Sequence, residues 1–154
     1  MKVAFYAGSF DPFTIGHLHV VKKASSLFDK VIIGLGVNSG KSSRYDKNKM
    51  KQAIEQTLLA NGLTNCECII FDGLTADVAK SYNADFLIRG IRNGMDYEYE
   101  ENLASINEEL SNLDTIYIRA GKFGNLSSSM VMELLRNGKD VSKYLPKEIL
   151  KLVT

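Results

Sequence analysis

The sequence predicts an α/β protein, a single domain built as a doubly wound, Rossmann-like sheet of five parallel strands with helices on both faces. Short, continuous apolar segments recur along the 154 residues, as is typical of strands buried on both sides. Between them lie segments whose apolar residues recur at helical spacing. Strand and helix alternate, which favours parallel strands joined by right-handed crossovers. No repeat or Pro/Ser-rich linker divides the chain, so the predicted domain spans residues 1–154.

The strands are predicted from five apolar runs, each followed by glycine or polar residues. They are Val3–Ala7, Val31–Val37, Glu67–Phe71, Phe86–Ile88 and Thr115–Ile118. The helices are predicted from the intervening segments and from two more after the last strand. They are Gly16–Phe28, Lys47–Asn61, Leu74–Tyr82, Asp96–Leu113, residues 128–137, and Pro146 to the end, where proline suits a first helical position.

Composition and charge narrow the class of protein. Hydrophobic residues make up 45% and charged residues 24%, as in an ordinary globular protein. A net charge of +1 gives no overall attraction to nucleic acid or to a membrane surface, so any anion site must be local. No segment has transmembrane length, and the first residues predict a strand instead of a signal sequence. We therefore expect a cytoplasmic protein without nucleic-acid or membrane partners.

The cysteines and histidines give little support for a metal site. Cys66 and Cys68 lie two apart on a predicted strand and so share one face, and the chain has no second cysteine pair. His17 and His19 lie two apart on a predicted helix and face nearly opposite directions. We expect buried, reduced thiols and no protein-held metal.

The junction between the first strand and the first helix is the strongest local signal. It runs from Gly8 to His17 and closes with Thr14-Ile15-Gly16-His17. A helix start offers unpaired N–H groups and a positive dipole end, which attract phosphate. Gly16 permits close approach of a ligand, and an imidazole at His17 can donate to a phosphoryl oxygen. Such junctions are common in α/β proteins, however, and a lone helix-start histidine is more often a surface residue.

The other strand-end loops collect further polar residues at the same edge of the predicted sheet. Ligands bind beyond the carboxyl ends of strands in this architecture. The loops cover residues 8–17, 38–45, 72–74, 89–92 and 120–129. Arg89 and Arg92 follow a buried strand, where an arginine needs an anionic partner. Lys41 lies in a lysine-rich stretch that, without other information, is better interpreted as a solvated loop and helix face.

The stretch from Val31 to Ser42, which includes the second predicted strand, looks at first like a phosphate-binding loop but does not match its pattern. The Walker pattern requires four residues between its glycines, whereas Gly36 leaves three and Gly34 leaves five before Gly40. The dinucleotide fingerprint fails as well. We expect Gly34 and Gly36 to lie inside the strand, where they allow close packing of a helix on the sheet.

Taken together, these loops resemble nucleotidyltransferases with a (Thr/His)-x-Gly-His motif, and most closely the bacterial phosphopantetheine adenylyltransferases. Residues 8–17 resemble that family's first motif, and residues 87–92 with 96–100 its second. Residues 126–129 resemble the third, and 138–146 the tail. These motifs occur in the same order as in the family and extend over nearly the whole chain. The chain departs from the family pattern at Ser39, Tyr45, residues 93–95 and residues 123–126, which concern substrate contacts more than the reaction.

The resemblance implies transfer of the adenylyl group of ATP, with Mg²⁺, to 4′-phosphopantetheine, giving dephospho-coenzyme A and pyrophosphate. It also implies a homohexamer. The catalytic residues it implies are His17, Lys41 and Arg92. For ATP it implies Ser9, Phe10, His17, Gly90, Ile91, Arg92, Glu100, Phe123, Gly124, Asn125, Leu126, Ser127, Ser128 and Ser129. For the acceptor it implies Ser9, Lys41, Leu74 and Arg89.

Some of these residues have simpler interpretations. Glu100 belongs to an acidic stretch from Asp96 to Glu101 that could be an exposed helix start. Ser127 to Ser129 could cap a helix. Leu74 alone is an ordinary helix leucine.

Two alternatives to this function stay open. The same fold and reaction could serve another phosphorylated acceptor, such as nicotinamide mononucleotide. The chain could also be a nucleotide-sensing module without turnover. The attacking phosphate is already anionic, so positioning and electrostatic stabilisation would carry catalysis. Retention of His17, Lys41, Arg89 and Arg92 favours an active enzyme.

Overall fold

The structure is a computed structural model that describes residues 1–37 and 42–154, apart from the side chain of Met95. The strands are β1 (Val3–Gly8), β2 (Lys30–Gly36), β3 (Cys66–Phe71), β4 (Phe86–Ile91) and β5 (Asp114–Arg119). The helices are α1 (Ile15–Leu27), α2 (Lys47–Ala60), α3 (Thr75–Ser81), α4 (Gly94–Ser111), α5 (Ser128–Arg136) and α6 (Lys147–Val153), and a short 3₁₀ helix covers Gly121–Phe123.

The five strands form one parallel sheet in the order β3-β2-β1-β4-β5. The chain winds outward from β1 to β3 and then returns to the other side of β1 to add β4 and β5. The order therefore reverses between β1 and β4, which is where such sheets open a crevice for ligands. The predicted α/β, doubly wound class is confirmed.

Helices cover both faces because successive side chains of β1 point in opposite directions. Tyr6 packs into a core with buried residues of α1, α2, α5 and α6. Phe5 is fully buried on the other face, in a second core that includes Ala79 of α3. These two cores hold the carboxyl ends of β1 and β4 rigidly in place.

The observed strand β4 is three residues longer than predicted. Its ladder continues past Ile88, with Arg89 opposite Tyr117 and Gly90 opposite Ile118. Backbone hydrogen bonding does not require apolar side chains, so the apolar run ends before the strand does. Arg89 consequently projects from a strand, where its position is fixed more firmly than in the loop that the sequence predicted.

Gly34 and Gly36 lie inside β2 as expected, but the close packing is against aromatic rings instead of a helix. A Cβ on Gly34 would stand 2.5 Å from the ring of Phe5 and 2.9 Å from that of Phe71. The rings of the flanking strands β1 and β3 therefore meet across the backbone of β2. A glycine is needed here for space, since its backbone has an ordinary strand conformation.

The cysteines agree with the expectation of reduced thiols. Cys68 is buried, Cys66 is partly buried, and both are free. Burial raises the pKa of the Cys66 thiol to about 11 and that of Cys68 to about 12, so both stay protonated. Within residues 1–37 and 42–154, no cluster of three or more His, Cys, Asp or Glu side chains could hold a metal ion.

Helices able to cross a membrane are absent from the part of the chain that the structure describes.

Candidate active site

A cavity of about 250 Å³ opens where the strand order reverses. Its floor is formed by the carboxyl ends of β1, through Tyr6 to Gly8, and of β4, through Arg89 and Gly90. Its walls come from the starts of α1 and α5, from Arg92, and from Asp96 and Glu100 in the first turns of α4. The crevice expected for this sheet order is thus present. Three of the five predicted strand-end loops, residues 8–17, 89–92 and 120–129, contribute to its lining, whereas residues 72–74 border a second cavity.

The start of α1 is closed by a capping box between Thr14 and His17. The Thr14 hydroxyl accepts a hydrogen bond from the His17 backbone N–H at 3.3 Å. In return, Nδ1 of His17 accepts the Thr14 backbone N–H at 2.9 Å. An imidazole replaces the Glu or Gln that usually closes such a box. Because Nδ1 is an acceptor, a neutral His17 carries its proton on Nε2.

The surroundings of His17 keep its imidazole uncharged. Burial, together with the positive charges of Arg89 and Arg92, lowers the pKa of His17 to about 3. Its ring is also held between two phenyl rings, with centroids 4.9 Å from Phe10 and 5.5 Å from Phe13. His17 is therefore a fixed, neutral hydrogen-bond donor that lines the cavity.

Phe10 supports the site mainly as a packing residue. Its backbone has φ 43°, a left-handed conformation that is rare for a bulky residue, and its side chain is 3% exposed. The ring packs edge-on against Tyr6 at 5.1 Å between centroids and fills the space over Gly8. The turn places Ser9 at the cavity while burying the aromatic ring beneath it.

A second helix start faces the same cavity. Ser127 caps α5 by accepting the Met130 backbone N–H at 3.1 Å, and the hydroxyl of Ser128 donates to the Pro12 carbonyl at 2.8 Å. The capping interpretation of these serines is thus correct for Ser127. Together α1 and α5 direct two positive dipole ends at one cavity, an arrangement suited to a polyphosphate.

Arg89 finds its anionic partner inside the protein. Its Nε and Nη2 donate to the two carboxylate oxygens of Glu100 at 2.5 and 2.8 Å, and Nη1 donates to the Ala7 carbonyl at 2.6 Å. Glu100 is 7% exposed, so this part of the acidic stretch is buried. Burial opposes the charge on Arg89, but Glu100 outweighs it and raises the arginine pKa.

Arg92 is also paired, at the start of α4. Its Nε donates to Asp96 at 2.9 Å and its Nη1 to the Leu126 carbonyl at 3.5 Å. Its side chain is 38% exposed, so it has more freedom than Arg89. The contact with Leu126 connects the second motif to the third across the mouth of the cavity.

A second cavity, of about 290 Å³, adjoins the first. It is lined by apolar side chains of β1 and α4, including Phe5, Leu103 and Ile106, and by Leu74 just before α3. Leu74 is 59% exposed. Ala7, Arg89 and Glu100 line both cavities. The Arg89–Glu100 pair therefore lies where a cavity of mixed polar and apolar lining meets a more apolar one.

Most of the expected site residues converge on these cavities. The first is lined by Ser9, Phe10, His17, Arg89, Gly90, Arg92, Glu100, Phe123, Leu126, Ser127 and Ser128. Leu74 lines the second. Ile91, Gly124, Asn125 and Ser129 adjoin lining residues in the sequence, and their roles stay predictions. Lys41 lies outside the described residues.

The sequence reasoning missed Tyr6 and Asp96 as residues that line the cavity. Tyr6 lies in an apolar run that predicts a buried strand, although its hydroxyl close to the strand end is a usable signal. Burial raises its pKa despite the opposing charge of Arg89, so its phenol is neutral. Asp96 was visible as the residue four after Arg92, the spacing at which helical ion pairs form.

Known proteins are similar to this chain in sequence and in fold. The model of the cytidylyltransferase-like family matches residues 5–134. Phosphopantetheine adenylyltransferase of Phocaeicola vulgatus is 40% identical over 148 residues, covering 96% of this chain and 97% of its own. That of Flavobacterium psychrophilum is 37% identical over 150 residues, covering 97% and 98%.

A solved structure of a proposed nicotinate-nucleotide adenylyltransferase from Vibrio parahaemolyticus has a TM-score of 0.71 over the full length of both chains. Its sequence identity is 20%, so it supports the fold alone. The identity and coverage of the Phocaeicola and Flavobacterium relatives, added to the converging motifs, show that this chain is a nucleotidyltransferase of the cytidylyltransferase-like family and belongs among its phosphopantetheine adenylyltransferases.

Proposed function

We propose that this enzyme transfers the adenylyl group of ATP to 4′-phosphopantetheine, releasing dephospho-coenzyme A and pyrophosphate. The observation that carries the proposal is the position of Arg89, which lines both the cavity at the helix starts and the more apolar cavity next to it. An acceptor that consists of a phosphate on a long arm fits this junction. Its phosphate would meet Arg89 while its arm lies along Leu74 and the apolar side chains of α4. The names of the full-length relatives agree with this substrate.

The other cavity suits the donor. The starts of α1 and α5 face it, so their N–H groups can hold the phosphates of ATP. Arg92, just before α4, lines the same cavity. Because its side chain is 38% exposed, it can exchange its contact with Asp96 for one with a phosphate. In this arrangement the acceptor phosphate approaches the α-phosphate of ATP from the side of Arg89.

The reaction needs no strong base, because the attacking phosphate oxygen is already anionic. That oxygen forms a bond to the α-phosphorus while the bond from this phosphorus to the bridging oxygen breaks, and pyrophosphate leaves with the electron pair. Negative charge grows on the non-bridging oxygens of the α-phosphate. The Nε2–H of His17 is placed to donate to one of them, and this bond strengthens in the transition state.

Magnesium enters as part of the ATP complex in this proposal. Asp96 and Glu100, the carboxylates that line the first cavity, are engaged by Arg92 and Arg89. Mg²⁺ would therefore be held mainly by phosphate oxygens and water, as is common for this ion. The family resemblance further supports a cytoplasmic location and a homohexamer. Sedimentation of the purified protein would test the number of subunits.

The test is pyrophosphate release with Mg-ATP and a panel of phosphorylated acceptors. We expect the highest kcat/KM with 4′-phosphopantetheine. A higher value with nicotinamide mononucleotide would overturn the acceptor assignment while leaving the reaction intact. Binding of ATP without turnover of any acceptor would instead support a nucleotide-sensing module.

A further inference from the structure

We propose that Lys47 is a positioning residue for the reaction: it holds the turn at Phe10 from outside and so keeps the imidazole of His17 directed at the α-phosphate. This inference rests on the proposed function, in which His17 acts in the transition state. Lys47 is the first residue of α2 and belongs to the lysine-rich stretch that the sequence presents as a solvated face. The structure gives its side chain a specific partner in the turn.

The turn at Phe10 has a conformation that its surroundings must maintain. The backbone of Phe10 has φ 43°, which is uncommon for a bulky residue. Such conformations persist only where the surrounding structure holds them, and they cluster at functional sites. On the inside of the turn, the buried Phe10 ring packs against Tyr6 and Phe13, at 5.1 and 5.5 Å between centroids. On the outside, the turn is held by contacts with residues 44–47.

Lys47 acts on the peptide group that sets this conformation. Its Nζ donates to the Ser9 carbonyl at 3.0 Å. That carbonyl belongs to the planar peptide group between Ser9 and Phe10, so its direction is coupled to the φ angle of Phe10. Lys47 therefore restrains the backbone angle that is unusual in this turn.

Further contacts fix the segment from which Lys47 extends. The carboxylate of Asp11 accepts the backbone N–H groups of Arg44 at 2.7 Å and Tyr45 at 3.1 Å. In the other direction, Nη1 of Arg44 donates to the Asp11 carbonyl at 2.9 Å. Asp46 caps α2. The Lys47 side chain thus projects from a capped helix start that is itself joined to the turn.

The position of Lys47 in its helix also indicates a role beyond helix stability. A cation at the first residue of a helix is opposed by the helix dipole, which favours Asp or Glu there. Residues that break a local rule of this kind are expected mainly at functional sites. The hydrogen bond to the Ser9 carbonyl supplies a reason for a lysine at this position.

The turn transmits the restraint to His17. The Phe10 ring meets the imidazole edge-on, with 4.9 Å between centroids. Nδ1 of His17 accepts the Thr14 backbone N–H, so Phe10 limits how far the ring can pivot about this contact. Displacement of Phe10 would let the Nε2–H turn away from the α-phosphate. A misplacement of about 1 Å at a reacting centre can cost on the order of a hundredfold in rate.

The decisive variant is Lys47→Met in the full-length enzyme, which keeps an unbranched apolar side chain and removes the donor. We expect kcat to fall about tenfold, while the KM values for ATP and for 4′-phosphopantetheine change less than twofold. Lys47→Arg can still donate to the Ser9 carbonyl and should recover most of the rate. Lys49→Met is the matched control, because it removes the same charge from an exposed position on α2 and should leave all three constants unchanged.

A His17→Ala background provides a stricter test. If Lys47 acts through the imidazole, Lys47→Met should lower kcat little further once the imidazole is gone. A general loosening of the site would lower kcat by the same factor in both backgrounds.

NMR of the His17 ring gives a measurement that is independent of turnover. The ring protons lie beside two phenyl rings, whose ring currents displace their resonances. We expect these resonances to move toward ordinary histidine values in Lys47→Met and to stay unchanged in Lys49→Met. If wild type does not use 4′-phosphopantetheine, the proposed function fails, and the NMR comparison still decides whether Lys47 holds His17 in place.

Several results would overturn the inference. They are unchanged His17 resonances or unchanged kcat in Lys47→Met, an equal loss in Lys47→Met and Lys49→Met, and an equal loss with and without the His17 imidazole. An equal loss in the two lysine variants would show a general effect of charge on substrate attraction. If Lys47→Met does not fold, judged by circular dichroism, Lys47→Gln should show the same loss of kcat and the same movement of the His17 resonances.

Discussion

The Nδ1 atom of His17 accepts the backbone N–H of Thr14 at 2.9 Å, and this single contact joins helix capping to the chemistry of the site. It satisfies an N–H group at the start of α1 that would otherwise lack a partner. It also requires that the proton of the neutral imidazole sit on Nε2. The residue that stabilises the helix start is thereby oriented as a donor toward the cavity.

The two roles of His17 should separate in two variants. His17→Ala removes both the cap and the donor, so we expect a loss of about 1 kcal/mol in stability and of roughly a hundredfold to a thousandfold in kcat. His17→Gln restores a residue that closes capping boxes, so its stability should return toward that of wild type while kcat stays low. Urea denaturation and steady-state kinetics measure the two effects.

Binding of ATP should survive both substitutions, because the bond from Nε2 gains most of its strength in the transition state. Near-normal turnover in His17→Ala would show that His17 is structural. The growing charge would then be stabilised by the arginines, Lys41 and magnesium.

The lowered pKa of His17 should appear in the pH dependence of stability. Its pKa is about 3 in the folded protein and about 6.5 in an unfolded chain. Between these values the unfolded state binds a proton that the folded state does not, so this contribution is complete above pH 6.5 and is lost as the pH falls toward 3. The loss approaches roughly 1.4 kcal/mol per pH unit.

Urea denaturation of wild type and His17→Gln across this range isolates the effect of one group. We expect the stability of wild type relative to the variant to fall steadily as the pH is lowered from 6.5. A constant difference would mean that His17 becomes protonated in the folded protein near its ordinary pKa, and that the imidazole is less enclosed than the structure indicates.

The sequence predicts strands and helices correctly where they coincide with a buried apolar pattern. It misplaces their ends by a few residues where an element continues beyond that pattern. The apolar run ending at Ile88 marks the buried part of β4, but the ladder continues through Arg89 and Gly90 because strand pairing involves the backbone. The sequence also places Gly34 correctly in β2, but it does not show which side chains approach Gly34 in space. The rings that approach it belong to β1 and β3, which are distant in sequence.

Site prediction identified the residue types better than their partners. The motifs located His17, Arg89 and Glu100, but Arg89 and Glu100 were assigned to different substrates. Their bidentate contact joins a strand to the following helix and depends on side-chain geometry that spacing alone does not specify. The Nδ1 contact of His17 could have been found, since Thr14 and His17 have the spacing of a capping box.

Lys41 remains a sequence-based prediction, whereas the structure describes Arg44 and Tyr45, which follow it in the chain. Asp11 accepts the backbone N–H groups of Arg44 at 2.7 Å and Tyr45 at 3.1 Å, which fixes this pair beside the loop that precedes His17. Lys41 precedes Arg44 by three positions. We expect Lys41→Ala to lower kcat or raise the acceptor KM while the affinity for ATP stays nearly unchanged.

Lys49→Ala is the matched control for this substitution, because Lys49 belongs to the same lysine-rich stretch and lies exposed on α2. It should leave the kinetic constants unaltered. Weaker ATP binding in Lys41→Ala, with acceptor kinetics intact, would contradict the assignment of Lys41 to the acceptor phosphate.

The most localised structural prediction concerns Gly34, far from any reacting atom. An added methyl group would stand 2.5 Å from the ring of Phe5, which is fully buried and packed edge-on against Phe71. Because the Phe5 ring is enclosed in the core, Gly34→Ala should destabilise the protein by about 1–3 kcal/mol. Gly94→Ala is the control, since a Cβ at the start of α4 meets nothing within 4 Å and alanine favours helix. Urea denaturation should show a large loss of stability for Gly34→Ala and none for Gly94→Ala. Equal stabilities of the two variants would mean that β2 can shift to admit a side chain, and that Gly34 is not needed for the contact between β1 and β3.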